Sequence, residues 1–67
     1  RASFGHNHPK VAIRLNNLAQ LLKATNRLEE AEPHMRQAVE IFRDSLGPDH
    51  PNTRIVARNL ELLLAEM

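Results

Sequence analysis

The sequence contains no cysteine, no tryptophan and no tyrosine, and only two glycines and two phenylalanines in 67 residues. Without cysteine there is no disulfide, no thiol-redox chemistry and no Cys-ligated zinc or iron–sulfur cluster. Gly5 and Gly47 alone cannot build a glycine-rich loop around a phosphate. Phe4 and Phe42 give no platform on which bases could stack. The longest unbroken apolar run, Leu62–Ala65, is far shorter than the roughly 20 residues that cross a bilayer. The N-terminus lacks the basic-then-apolar pattern of a signal peptide. These exclusions predict a cytoplasmic chain with no membrane partner.

What is present suits a small folded domain, or a piece of a larger one. Apolar residues make up 42% of the chain, too many for a disordered segment, although a single core of this size is marginal. The net charge is +1, too small to argue for nucleic acid. Seven arginines against two lysines would fit it, but interspersed acids and the lack of interleaved aromatics speak against it. Charge is unevenly placed. Residues 1–28 carry Arg1, Lys10, Arg14, Lys23 and Arg27 and no acid, whereas residues 29–49 carry six acids against Arg36 and Arg43. Such segments would attract if they pack side by side; the plainer reading is solvated helix faces.

The chain also repeats itself. His8-Pro9 recurs as His50-Pro51, an offset of 42 residues. The same shift pairs Ser3 with Ser45, Gly5 with Gly47, Ile13 with Ile55 and Asn17 with Asn59. It also pairs Leu18, Leu21 and Leu22 with Leu60, Leu63 and Leu64. A period in the range of roughly 20–50 residues marks a stacked repeat architecture, of which the chain holds about one and a half units.

Three helices follow from the pattern. Pro9 and Pro51 fit the first position of a helix, where a missing N–H costs nothing. The first helix, about 9–25, carries Val11, Ala12, Leu15, Leu18, Ala19 and Leu22 at three- and four-residue steps. Asn26 followed by Glu29 has the form of a capping box, opening a second helix over about 27–46. Its stripe is Leu28, Ala31, Met35, Ala38, Val39, Phe42 and Leu46. Pro33 removes a hydrogen bond to the Glu29 carbonyl and is expected to bend or locally open this helix. Gly47-Pro48 ends it. The third helix, about 51–66, carries Ile55, Val56, Leu60, Leu63 and Leu64. Short connections predict antiparallel packing.

The string His8-Pro9-x-Val11-Ala12-x-x-Leu15-Asn16-Asn17-Leu18-Ala19 is followed by Leu28-Glu29-Glu30-Ala31-Glu32-Pro33. Gln37-Ala38-Val39-Glu40-Ile41 and Leu46-Gly47-Pro48-Asp49-His50-Pro51 complete the set. In these residues the chain resembles the tetratricopeptide repeat, in the longer form of kinesin light chains. The resemblance covers nearly the whole chain. It implies an all-α fold, antiparallel helix-turn-helix repeats of an α-solenoid, with Ala19, Ala31 and Ala38 at points of close helix approach. The sequence departs from the family in three places. Asn26 replaces a common glycine, but tolerates the left-handed conformation. Met35 replaces an aromatic. Glu61 stands where Ala19 sits in the first copy, so the third helix is expected to face water there, as a terminal helix must.

The resemblance also implies a role. The first helix of each pair would line a concave groove that holds an extended peptide of a partner protein, with no catalysis. The groove positions would be Ile13, Asn17 and Gln20 with Asn16 beside them, then Ile55, Asn59 and Leu62 with Arg58 beside them. A carboxamide offers donor and acceptor together and can pair with any peptide backbone. Alternatively each asparagine bonds a loop or faces solvent. Arg14, Lys23 and Arg58 favour an acidic peptide. The rival reading is a structural segment that caps or oligomerises a repeat array.

Other chemistry has little support. His6, His8, His34 and His50 lack a carboxylate or cysteine set at ligand spacing, and His8 and His50 are explained as helix starts. Ser3 and Ser45 carry no triad signature. No metal and no cofactor is expected. Because roughly three repeats are usually needed for stability, Leu60, Leu62, Leu63, Leu64 and Met67 are expected to form an uncovered apolar face. Burying one leucine contributes about 1.5–3 kcal/mol, so a homodimer or larger homo-oligomer is expected.

Overall fold

The computed structural model describes residues 8–67; the sequence readings at Ser3, Phe4, Gly5, His6 and Asn7 lie outside them. The described residues form three α-helices: α1 (Pro9–Ala24), α2 (Leu28–Leu46) and α3 (Pro51–Glu66). Among them there is no strand. Helix α2 packs against both α1 and α3, which touch each other far less. The fold is all-α, as expected from the apolar spacing.

Local chemistry explains where each helix starts and stops. Both α1 and α3 open with His-Pro: the histidine is the N-cap and the proline follows at once. The Nδ1 atom of His8 accepts from the Lys10 amide at 3.1 Å, and that of His50 accepts from the Asn52 amide at 3.1 Å. Each bond satisfies one of the amides a helix start leaves free.

The turn after α1 differs from the expected capping box. Asn26 has φ 63° and closes α1 instead of opening α2. Its amide bonds the Lys23 carbonyl at 3.0 Å, and the Arg27 amide bonds the Leu22 carbonyl at 2.8 Å, the paired bonds of a Schellman turn. Thr25 Oγ1 adds bonds to the Leu21 and Leu22 carbonyls. A left-handed residue cannot also take the extended conformation of an N-cap. Arg27 therefore opens α2 without a side-chain cap bond, and its guanidinium instead grips Glu30 through two bonds of 2.8 Å.

Pro33 does not open α2, which runs unbroken through it. The proline is exposed, so its ring faces away from the packed side. Buried Ala31 and Met35 on either side of it hold the helix against its neighbours. At the far end Gly47 has φ 95° and ψ 156°, a region open essentially to glycine alone.

The core is a continuous cluster centred on α2. Ala12, Ala19 and Leu22 of α1 join Ala31, Met35, Ala38, Val39, Ile41 and Phe42 of α2, and Val56 and Leu63 of α3. Six buried positions on α2 span an arc wide enough for a helix on each side. Ala19, Ala31 and Ala38 have no exposed surface, which lets the axes approach closely.

Two parts of the expected pattern are corrected. Leu18 does not join the core and is exposed, and Leu21 is more so at 61%. Conversely, Leu63 is fully buried and Leu60 packs partly against the core, so the exposed apolar residues of α3 are Ile55, Leu62 and Leu64, with Met67 just beyond it. The reason is that α1 and α3 meet α2 through different faces. Helix α1 uses Ala12, Ala19 and Leu22; one period later these become Arg54, Glu61 and Leu64, all exposed. Helix α3 instead uses Thr53, Val56 and Leu63.

Candidate functional site

The two helices that begin with His-Pro border a cleft of about 200 Å³. Helix α1 supplies Ile13 and Asn16, α3 supplies Asn52, Ile55 and Val56, and Phe42 of α2 completes the lining. The local fold explains this set. Phe42 and Val56 are core residues, so the cleft is floored by the same cluster that holds the helices together. Ile13 and Ile55 stand one period apart and are about half exposed on its walls. Exposed aliphatic side chains over an aromatic floor suit an apolar side chain of a partner.

Polar groups mark the rim. Asn16 is half-buried, and its Oδ1 is hidden from solvent with no hydrogen-bond partner. Asn52 is exposed and lies in the first turn of α3, whose amide His50 caps. The first two turns of α1 and α3 carry Lys10, Arg14, Arg54 and Arg58 and no acid. Their amide ends add partial positive charge at the same end of the molecule.

The predicted positions divide between two situations. Ile13, Asn16 and Ile55 come together in the cleft. Asn17, Gln20, Arg58 and Leu62 are exposed and Asn59 is half-buried, and none of these five lines the cleft. The sequence reading missed Asn52, Val56 and Phe42. Asn52 was within reach, since the step from Asn59 to Ile55 continues back by three residues to Asn52. Helical spacing marks Phe42 and Val56 as core, and only the spacing of α1 and α3 leaves part of each facing the gap.

A second depression, of about 460 Å³, lies at the opposite end, between the α1–α2 turn and the end of α3. Asn26, Arg27, Leu28, Glu29, Glu30, Glu66 and Met67 line it. Its charges are largely consumed internally: Arg27 holds Glu30, and Lys23 Nζ lies 3.1 Å from Glu66 Oε2. The hydrogen bonds from Arg27 hold the Glu30 carboxyl below its ordinary range. Among the described residues no group of three His, Asp or Glu side chains could hold a metal. No helix there is long and apolar enough to cross a membrane.

A family model described as tetratricopeptide repeat matches residues 11–52, one full period of the internal repeat. The chain belongs to the tetratricopeptide repeat family. The longer period, seen in kinesin-light-chain-like members, is consistent with this match. No solved structure matches the chain. Tetratricopeptide repeats are generally protein-interaction modules, and in this one α1 and α2 form the complete helix pair while α3 opens the next.

Proposed function

We propose that this tetratricopeptide repeat segment binds an extended peptide of a partner protein along the α1–α3 cleft and catalyses nothing itself. The observation that carries this reading is the convergence of Ile13, Asn16, Asn52 and Ile55 from two different helices around one opening. The peptide places an apolar side chain between the isoleucines. Asn17 and Asn59, one period apart on the same two helices, hold its backbone further along, with Gln20 and Leu62 beyond them. Acidic residues in the peptide suit Lys10, Arg14, Arg54 and Arg58, which no acid offsets in those turns.

The test is fluorescence anisotropy with a library of short peptides, acidic and neutral. Acidic peptides with one bulky apolar residue are expected to bind, and Ile13→Ala with Ile55→Ala is expected to weaken them at least tenfold. Asn17→Ala with Asn59→Ala should weaken every binder alike. Unchanged affinity in variants that keep their helicity removes the reading.

One observation favours the structural alternative. Arg54 and Glu61 replace Ala12 and Ala19 on the outer face of α3, and charged residues there suit a helix that closes an array against water. A cap of this kind would bind none of the peptides. The exposed Leu18, Leu21, Leu62, Leu64 and Met67 further support a homodimer through apolar helix faces. Light scattering over a concentration series decides that point, and a monomer at high micromolar concentration overturns it.

A further inference from the structure

One set of repeat positions is dry on α3 and wet on α1. Helix α3 turns Thr53, Val56, Leu60 and Leu63 inward; Leu60 is half-buried and the others are buried. One period earlier these positions are Val11, Arg14, Leu18 and Leu21. There Val11 is half-buried and Arg14, Leu18 and Leu21 are exposed, because α1 meets α2 through another side. The open flank of α1 is thus aliphatic apart from Arg14, and it has the make-up of a surface that this fold buries against a helix. The exposed apolar residues of α3 form no such surface. Leu64 shares its side of the helix with Arg54 and Glu61, and Leu62 stands one turn from Arg58 and from Glu66, which Lys23 of α1 holds.

We infer that α1 packs against α1 of a second copy, with the two helices antiparallel about a two-fold axis between Leu18 and Leu21. This rests on the homodimer reading above and gives it a face and an orientation. Charge chooses the orientation. Helix α1 carries Lys10 and Arg14 near its start, Lys23 near its end and no acid. Parallel helices would set Arg14 against Arg14. In the antiparallel pair the two arginines stand roughly 16 Å apart along the axis, at about 1.5 Å per residue, which exceeds the screening length of about 8 Å in physiological salt. Each basic start then lies by the far end of the other α1. The helix dipole is negative there, and the first turn of α2 brings Glu29 and Glu30. Arg27 already holds Glu30, so Glu29 is the carboxylate that meets the incoming Arg14 or Lys10. A two-fold interface closes on itself and builds no open stack. Ile13 and Asn16 line the cleft from a different side of α1, so the dimer keeps both clefts open to peptide.

The experiment is sedimentation equilibrium over a micromolar concentration series, on the parent chain, on Leu18→Gln with Leu21→Gln, and on Leu62→Gln with Leu64→Gln. All four leucines are exposed, so both variants should keep their helicity, which circular dichroism checks. The parent is expected to dimerise, the α3 variant to dimerise as well, and the α1 variant to do so about tenfold more weakly or less. A monomeric parent removes the homodimer reading itself. A dimer that survives the α1 changes, or that the α3 changes abolish, overturns the α1 face and leaves the homodimer standing. Orientation is read by cross-linking. The chain has no cysteine, so engineered thiols report alone. With a short bismaleimide, Arg14→Cys mixed with Thr25→Cys should join to each other, and Arg14→Cys should not join to itself. The opposite pattern overturns the antiparallel order, and no cross-link in either mixture overturns the α1 contact.

Discussion

Ala19 and Glu61 occupy the same place in successive copies of the repeat, yet Ala19 has no exposed surface and Glu61 is exposed. The reverse holds for Leu21 and Leu63, of which the first is exposed and the second fully buried. Both contrasts have one cause. A single helix, α2, is shared by α1 and α3, and each meets it with a different side.

Ala19→Glu should therefore unfold the chain, because it would force an unpaired carboxylate against α2 at several kcal/mol. Glu61→Ala, the reciprocal change, should shift stability by no more than about 0.5 kcal/mol. Urea titration of both variants checks the pair. A tolerated Ala19→Glu would mean that α1 is not packed as described.

Thr53 is 3% exposed, and its hydroxyl has no hydrogen-bond partner. Its counterpart one period earlier is Val11. Thr53→Val keeps the shape and removes a buried polar group, so stability should rise by about 1 kcal/mol. A lower melting midpoint would show that the hydroxyl is bonded in solution.

Gly47→Ala should cost about 1–3 kcal/mol. No atom lies within 4 Å of where the new methyl would point, so the whole cost is backbone strain at φ 95°. Asn26→Gly, at φ 63°, should change stability by only a few tenths of a kcal/mol, since glycine takes that conformation freely. Thermal melts of the two variants separate strain from crowding.

Glu30 is bound by Arg27, first through hydrogen bonds, and its carboxyl titrates below the ordinary value. A lowered carboxyl stabilises the fold above its unfolded value, and that contribution disappears as acid drives the pH down through the folded value. Arg27→Gln should move the Glu30 titration back up, as read by carboxyl-carbon NMR. An unmoved titration would show that the pair does not persist in water. Both side chains are about half exposed, so solvent screens the pair and the effect on overall stability should be small.

Much of this was legible along the chain because it depends on neighbours in sequence. The helix starts at Pro9 and Pro51 and the stop at Gly47 follow from local backbone chemistry, and Ala31, Met35, Ala38 and Phe42 follow from helical spacing. The Asn26 turn was harder, because asparagine suits both a helix start and a left-handed stop. The competing bonds to the Lys23 and Leu22 carbonyls decided between them. The cleft was half legible. The repeat pattern points to Ile13, Asn16 and Ile55 but not to Asn52, and Phe42 carries no sign in the sequence that part of it borders a gap.

The sequence by itself determined three amphipathic helices, a period, and the family to which that period belongs, since each depends on residues a few steps apart or on internal similarity. Only the tertiary structure decided which flank of each helix is dry. Two helices with similar apolar residues pack against one shared partner, and the direction of approach buries Leu63 while leaving Leu21 in water. That choice depends on three axes in space, which no single helix encodes.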